Sequence, residues 1–203
     1  MRKLLAEFIG TYLLALAIVG AGAMATSITD DKALILLINA FVAAGILALI
    51  ISSFGPVSGG HFNPAVTLVE VFTHEMSKKR GLYFISAQIF GGILGVITAN
   101  LFFGLSTVAT TSQATPSFAK LLSEFFATAG LIFVIRQLAN IKRSEFIPVG
   151  VALWIFTGYF FTPTSAIANP AMTISRALTD SFTGIPSGSV LLFVLMQIAG
   201  AFI

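Results

Sequence analysis

No cysteine occurs among the 203 residues, which excludes disulfides and thiolate metal or redox sites. Charge is nearly as scarce: Asp, Glu, Lys and Arg together make up 9% of the chain, against about 25% in a soluble domain. With two histidines and a net charge of +3, there is neither a His/Cys/carboxylate cluster for a metal nor a basic tract for a nucleic acid. No nucleophile stands in a pattern with a base. These absences argue against an enzyme, a cofactor or metal, and a nucleic-acid partner.

What is present is apolar: 57% hydrophobic residues and a mean hydropathy of +0.98. A membrane-crossing helix takes about 20 apolar residues, so the chain holds roughly six spans and no soluble module. Six segments qualify, at about 4–25, 33–54, 82–105, 119–139, 146–162 and 188–203. The first follows Arg2-Lys3 and resembles a signal peptide, but its length and Glu7 mark it as a retained span. Two further apolar stretches, 64–72 and 170–178, are half the required length and follow irregular turns. Such re-entrant backbone is tolerated at membrane depth only when buried in protein or lining a cavity. An amino terminus on the inner side puts Arg2, Lys3, Lys78, Lys79, Arg80, Arg136, Lys142 and Arg143 inside, and only Lys32, Lys120 and Arg176 outside. That distribution satisfies the positive-inside rule. The uncharged loop 106–118 then lies outside, and Lys78-Lys79-Arg80 can meet anionic lipid head groups.

The chain repeats itself. Ala6-Glu7-Phe8 and Ser123-Glu124-Phe125 open spans one and four. Asn63-Pro64-Ala65 and Asn169-Pro170-Ala171 follow spans two and five; Gln88-Ile89-Phe90-Gly91 and Gln197-Ile198-Ala199-Gly200 lie in spans three and six. Three spans per repeat force the second half to be inverted. The expected architecture is all-α: one membrane domain over 1–203, with six transmembrane helices, two half-helices, and inverted repeats over about 1–105 and 119–203. In each Asn-Pro-Ala turn the Pro suits a helix start and the Asn can cap it. Two half-helices meeting by their N-termini make the centre electropositive, which repels cations and protons. The Asn amides offer donors to a neutral solute oxygen.

The run Ser58-Gly59-Gly60-His61-Phe62-Asn63-Pro64-Ala65-Val66-Thr67 resembles the signature of the major intrinsic protein family, the aquaporins and glycerol facilitators. Ala6-Glu7-Phe8-x-Gly10-Thr11, Ala87-Gln88-x-x-Gly91-Gly92 and the second Asn-Pro-Ala match the family at corresponding places. The resemblance spans essentially the whole chain. It implies a right-handed six-helix bundle, one pore per subunit and a homotetramer. One departure stands out: family members are similar in carrying Arg directly after the second Asn-Pro-Ala, where this chain has Met172. Spacing from the two Asn residues assigns the remaining constriction positions to Ala43, Thr157 and Ala166. A constriction of Ala43, Thr157, Ala166 and Met172 would be wide and uncharged, unless Arg176, one helical turn after Met172, folds back into it.

The resulting expectation is a passive channel for small uncharged solutes, such as glycerol-like polyols and neutral arsenite, with or without water. A water-selective channel is the alternative. A coupled transporter fits less well, because the centre offers Asn63 and Asn169 rather than ionisable groups. Glu7 and Glu124 are expected to support the loops as hydrogen-bond acceptors rather than to carry protons, with His61 lining or supporting the same region. Short termini without a targeting extension suggest a prokaryotic plasma (inner) membrane.

Overall fold

The computed structural model describes residues 1–108 and 114–203, so residues 109–113 of the uncharged loop 106–118 lie outside it. The described chain is all-α. Helix α1 (Arg2–Ile28) leaves what is called here the amino-terminal face and α2 (Lys32–Ser58) returns to it. The chain dips inward through 59–63, and the half-helix α3 (Pro64–Phe72) comes back out. Helices α4 (Lys78–Phe102), α5 (Phe118–Asn140) and α6 (Ile147–Phe161) follow. A second dip through 162–169 leads into the half-helix α7 (Pro170–Ser175), and α8 (Val190–Ala201) ends the described elements.

Five helical stretches are long and apolar enough to cross a membrane: Arg2–Ile28, Lys32–Ser58, Lys78–Phe102, Phe118–Asn140 and Ser144–Phe161. The sixth, Ser187–Ala201, is shorter. Large hydrophobic side chains point outward along the whole bundle, Phe41, Phe118 and Phe133 among them. A patchwork of that extent suits lipid, not water. Other phenylalanines (Phe62, Phe84, Phe193) are core.

Helix ends follow local chemistry. Asp31 caps α2 by accepting from the Ala33 and Leu34 amides, and Ser77 and Ser117 cap α4 and α5. Helix α2 stops at Gly59, which takes the left-handed φ of 105° that a residue with a β-carbon resists. The second half-helix is α-helical only to Ser175, and a 3-10 turn over Arg176–Leu178 completes the expected 170–178. Asn100 in α4 holds the segment beyond: its Nδ2 donates to the Leu178 carbonyl at 3.2 Å, and Thr179 Oγ1 donates back to its Oδ1 at 2.8 Å.

Two close helix crossings, α1 with α4 and α5 with α8, recur in the two halves. A β-carbon at Gly91 would run into the Phe8 carbonyl of α1, and one at Gly200 into the Phe125 carbonyl of α5. In both cases the glycine stands three residues after the buried Gln, and the carbonyl belongs to the residue after the buried Glu. Gly92 instead faces α7, where an added β-carbon would sit 3.0 Å from Ser175 Oγ and 3.3 Å from Met172 Cε. Small residues here let backbone approach backbone.

Candidate pore and its supports

The irregular loops need acceptors for amides that no helix satisfies, and two fully buried carboxylates provide them. Glu7 Oε1 accepts from Ser58 Oγ at 2.6 Å and the His61 amide at 3.1 Å; Oε2 accepts from the Phe62 amide at 2.8 Å and Gln88 Nε2 at 2.7 Å. Glu124 accepts from the Ile167 amide (3.1 Å), the Ala168 amide (3.0 Å) and Gln197 Nε2. Each carboxylate thus nails a re-entrant loop to the first helix of its own half. The loops are strained: Phe62, Ser165, Ala166 and Ala168 all have positive φ without being glycine. His61 lies beside the first loop, its Nδ1 3.0 Å from Thr67 Oγ1 and its ring edge-on to Phe84.

The two turns meet in a reciprocal clamp. Asn63 Oδ1 caps α3 through the Ala65 amide at 2.9 Å, and Asn169 Oδ1 caps α7 through Ala171 at 3.0 Å and Met172 at 3.3 Å. Asn63 Nδ2 then reaches across to the Ala168 carbonyl at 2.8 Å, while Asn169 Nδ2 reaches the Phe62 carbonyl at 2.9 Å. Pro64 and Pro170 open the half-helices, with Ala65 and Ala171 packed fully out of contact with solvent. Each Asn spends one of its two amide hydrogens on the opposite loop, which leaves one per side chain for a solute.

Both Asn residues line a cavity of about 410 Å³ that opens at the amino-terminal face beside Glu70, Glu75, Arg136 and Asn140. It runs past His61 and the clamp to Met172, Tyr159 and Arg176. Its apolar wall comes from helical stripes, Leu47 and Ile51 of α2 facing Ile147, Val151, Ile155 and Tyr159 of α6.

The constriction residues expected from spacing divide into two groups. Ala166, Met172 and Arg176 line the cavity. Thr157 does not: it is exposed, its hydroxyl folded back onto the Leu153 and Trp154 carbonyls. Two residues turn a helix by about 200°, so Thr157 points away from the face that Ile155 and Tyr159 present. Ala43 is on the cavity face of α2, one turn beyond Leu47, but it is wholly covered within the core cluster that also contains Tyr159. At the end where Ala43, Thr157, Ala166 and Met172 were expected to leave a wide, uncharged opening, the cavity is lined by Ala166 and Met172 together with Tyr159 and Arg176. Arg176 is only 8% exposed; its Nε donates to the Thr183 carbonyl at 2.7 Å.

A family profile described as major intrinsic protein matches residues 1–168. The chain is 37% identical over 201 residues to aquaglyceroporin AqpS of Rhizobium meliloti (strain 1021), covering 98% of this chain and 85% of that protein. The chain belongs to the major intrinsic protein family. As a major intrinsic protein it is a multi-pass membrane channel and not an enzyme. It is also 33% identical over 153 residues to aquaporin NIP1-2 of Arabidopsis thaliana, spanning 71% of this chain and 51% of the plant protein. An X-ray structure of the aquaglyceroporin from Plasmodium falciparum superposes with a TM-score of 0.81 over 98% of this chain and 91% of that one. At 18% identity, that likeness speaks to the fold alone.

The mouth at the amino-terminal face of this major intrinsic protein holds charges that motif spacing does not reveal. Arg136 Nη1 of α5 donates to Glu75 Oε1 at 2.9 Å, joining the loop after α3 to a residue 61 positions later. That hydrogen bond, ahead of the guanidinium's charge, holds the Glu75 carboxyl below the usual carboxylate range. The pair is half-open to solvent, so it contributes at most about 1 kcal/mol. Because Glu75 is depressed, this contribution is complete above the ordinary carboxylate pKa and is lost as pH falls through the lowered value. Arg136→Gln is expected to move the Glu75 titration upward, read by carboxyl carbon NMR of labelled protein in nanodiscs. An unmoved titration would mean that the pair does not persist in a bilayer.

Proposed function

We propose that the chain is a passive channel for small uncharged hydroxylated solutes, glycerol first among them, with water moving through the same path. What supports this most is one cavity passing both clamp asparagines, each with an amide hydrogen to spare and each at the positive end of a half-helix. A hydroxyl oxygen can accept from those donors, whereas a cation meets like charge. The printed name of the Rhizobium meliloti relative, an aquaglyceroporin, supports the same solute class; neutral arsenite has the same chemistry, a small uncharged trihydroxy solute. On this reading Glu7, Glu124 and His61 support the loops. Asn63, Pro64, Ala65, Asn169, Pro170 and Ala171 form the proton- and ion-excluding centre, and Ala166, Met172 and Arg176 belong to the selective end. The domain is residues 1–203 as two inverted repeats of about 1–105 and 119–203, with the amino terminus cytoplasmic in a prokaryotic inner membrane. Homotetramer formation follows from the family resemblance.

A second reading, a channel mainly for water, is favoured by one observation: Tyr159 and Arg176 occupy the end where a wide opening was expected. Stopped-flow light scattering of proteoliposomes separates the two. Re-swelling in glycerol well above empty vesicles supports the first reading. Fast shrinkage in sucrose without glycerol entry replaces it with the second. No acceleration of either sinks both.

A further inference from the structure

The cations of the amino-terminal face are divided unevenly. On the α5–α6 side both arginines have a carboxylate: Arg136 holds Glu75 at 2.9 Å, and Arg143 stands 3.7 Å from Glu145. Among the described residues only Lys142 lacks one there. On the α1–α4 side Arg2, Lys3, Lys78, Lys79 and Arg80 are all exposed, and among the described residues none of them forms an ion pair. The nearby acids are engaged elsewhere, Glu7 buried under four donors and Glu75 facing Arg136. Neither α1 nor α4 carries an acid in its first turn. Cations at a helix N-terminus oppose the helix dipole, so both helices begin at an electrostatic disadvantage that nothing in the described chain offsets.

Packing brings these two ends together. Gly91 of α4 lies against the backbone of Phe8 in α1, and Gly95 against that of Tyr12. Both crossings keep the same offset, so α1 and α4 run parallel with their N-termini at one face. On that register Arg2 is level with Ile85, and residues 78–80 stand about 8–10 Å further out. Side chains of a first turn lean toward the N-terminus, so all five cations reach into one zone. One turn inward the exposed side chains become apolar: Leu5 follows Arg2 on α1, while Leu82 and Tyr83 follow the basic run on α4. We propose that the paired N-terminal ends of α1 and α4 bind an anionic phospholipid of the surrounding leaflet. Its phosphate sits among Arg2, Lys79 and Arg80, and its acyl chains lie along Leu5 and Tyr83. The positive-inside rule accounts for cations on this face. It does not account for their gathering, without acids, at two touching helix ends while the arginines of the α5–α6 side have partners. A basic pocket between membrane helices suits an anionic head group, whereas a zwitterionic one brings a cation of its own. The proposal needs the membrane location of the fold and not the solute reading above.

The test titrates the solubilised full chain with dioleoyl phosphatidylglycerol and with dioleoyl phosphatidylcholine, bound lipid being read by native mass spectrometry. Each cation near the head group strengthens binding about five-fold. Wild type in low salt is therefore expected to prefer phosphatidylglycerol on the order of a hundred-fold, and high salt to erase most of that preference. Combining Lys78→Gln, Lys79→Gln and Arg80→Gln is expected to remove most of the preference. Combining Lys142→Gln and Arg143→Gln, on the same face, is expected to keep it. Equal affinity of wild type for the two lipids overturns the proposal. So does an equal loss in both variants, which would make the preference a property of the whole face. Displacement of bound phosphatidylglycerol by equimolar inorganic phosphate also overturns it, because such a site would need no lipid. Should the triple variant not be recovered, Arg80→Gln alone decides: about five-fold weaker phosphatidylglycerol binding is expected, and unchanged affinity overturns the proposal.

Discussion

Glu7→Ala is expected to yield no monodisperse protein in mild detergent at 25 °C. The carboxylate is fully buried and takes four donors: one hydroxyl, one side-chain amide and two backbone amides. Removing it strands all four inside the bundle, at about 1–3 kcal/mol each. The sum is comparable with the whole stability of an ordinary domain, about 5–15 kcal/mol. Strain adds to the effect, since Phe62 keeps its positive φ only while something holds the loop. Glu7→Gln should fall between: one carboxamide oxygen still accepts, but the new amide group confronts donors. Glu124→Ala should be damaging but milder, because Glu124 takes three donors where Glu7 takes four. Size-exclusion profiles and thermal melts of the three variants give the ranking. Glu7→Ala melting within a few degrees of wild type would show that water or lipid replaces the carboxylate at no cost, and the loops would need another anchor.

Asn169→Asp is expected to lower glycerol flux about ten-fold or more and to open a cation leak. The aspartate can still cap α7, since Oδ1 keeps its place by the Ala171 and Met172 amides. What disappears is the donor. The Nδ2 bond to the Phe62 carbonyl becomes an oxygen facing an oxygen, and the centre loses the amide hydrogen offered to solutes. About 1.4 kcal/mol corresponds to each factor of ten, which one lost buried hydrogen bond already approaches. A carboxylate at the meeting point of two half-helices also cancels their positive ends. Light scattering with glycerol and a sodium- or pH-sensitive dye inside the vesicles report the two effects separately. Asn63→Asp should behave alike, because the clamp is reciprocal. Unchanged flux and a tight vesicle in both variants would remove the asparagines from the conducting path.

The parts of this molecule that depend on nearest neighbours were legible in the residues. Asn followed by Pro announced both half-helices, and α3 runs over the expected 64–72 because cap and proline act within one turn. The matched Glu positions likewise pointed to buried acceptors, since an acid in an apolar span must be satisfied from somewhere. The far end of the pore was not legible. Counting back from Asn169 to α6 crosses a loop with three left-handed residues, Ser165, Ala166 and Ala168. Thr157, the residue the spacing assigns, is exposed, and Tyr159, two residues on, lines the cavity instead. Ala43 is wholly covered, and no local pattern shows that a phenol of α6 is tied to Asn39, one turn away on α2. Arg176 was suspected of folding back, but the group that holds it, the Thr183 carbonyl, is a loop backbone atom without a motif. The same holds for Glu75 and Arg136, which become partners only through the packing of α5.

The reciprocal clamp also sets a timetable for the ribosome. Asn63 finds its partner, the Ala168 carbonyl, 105 residues further along the chain. At synthesis rates of about 5–20 residues per second, that amide waits roughly 5–20 s before its acceptor exists. During that interval the first three helices are in the membrane with a re-entrant loop that has nothing to close against. The pore centre therefore closes only once the second dip, residues 162–169, has been made, and a translocon or chaperone that shelters the half-built bundle would act on this loop.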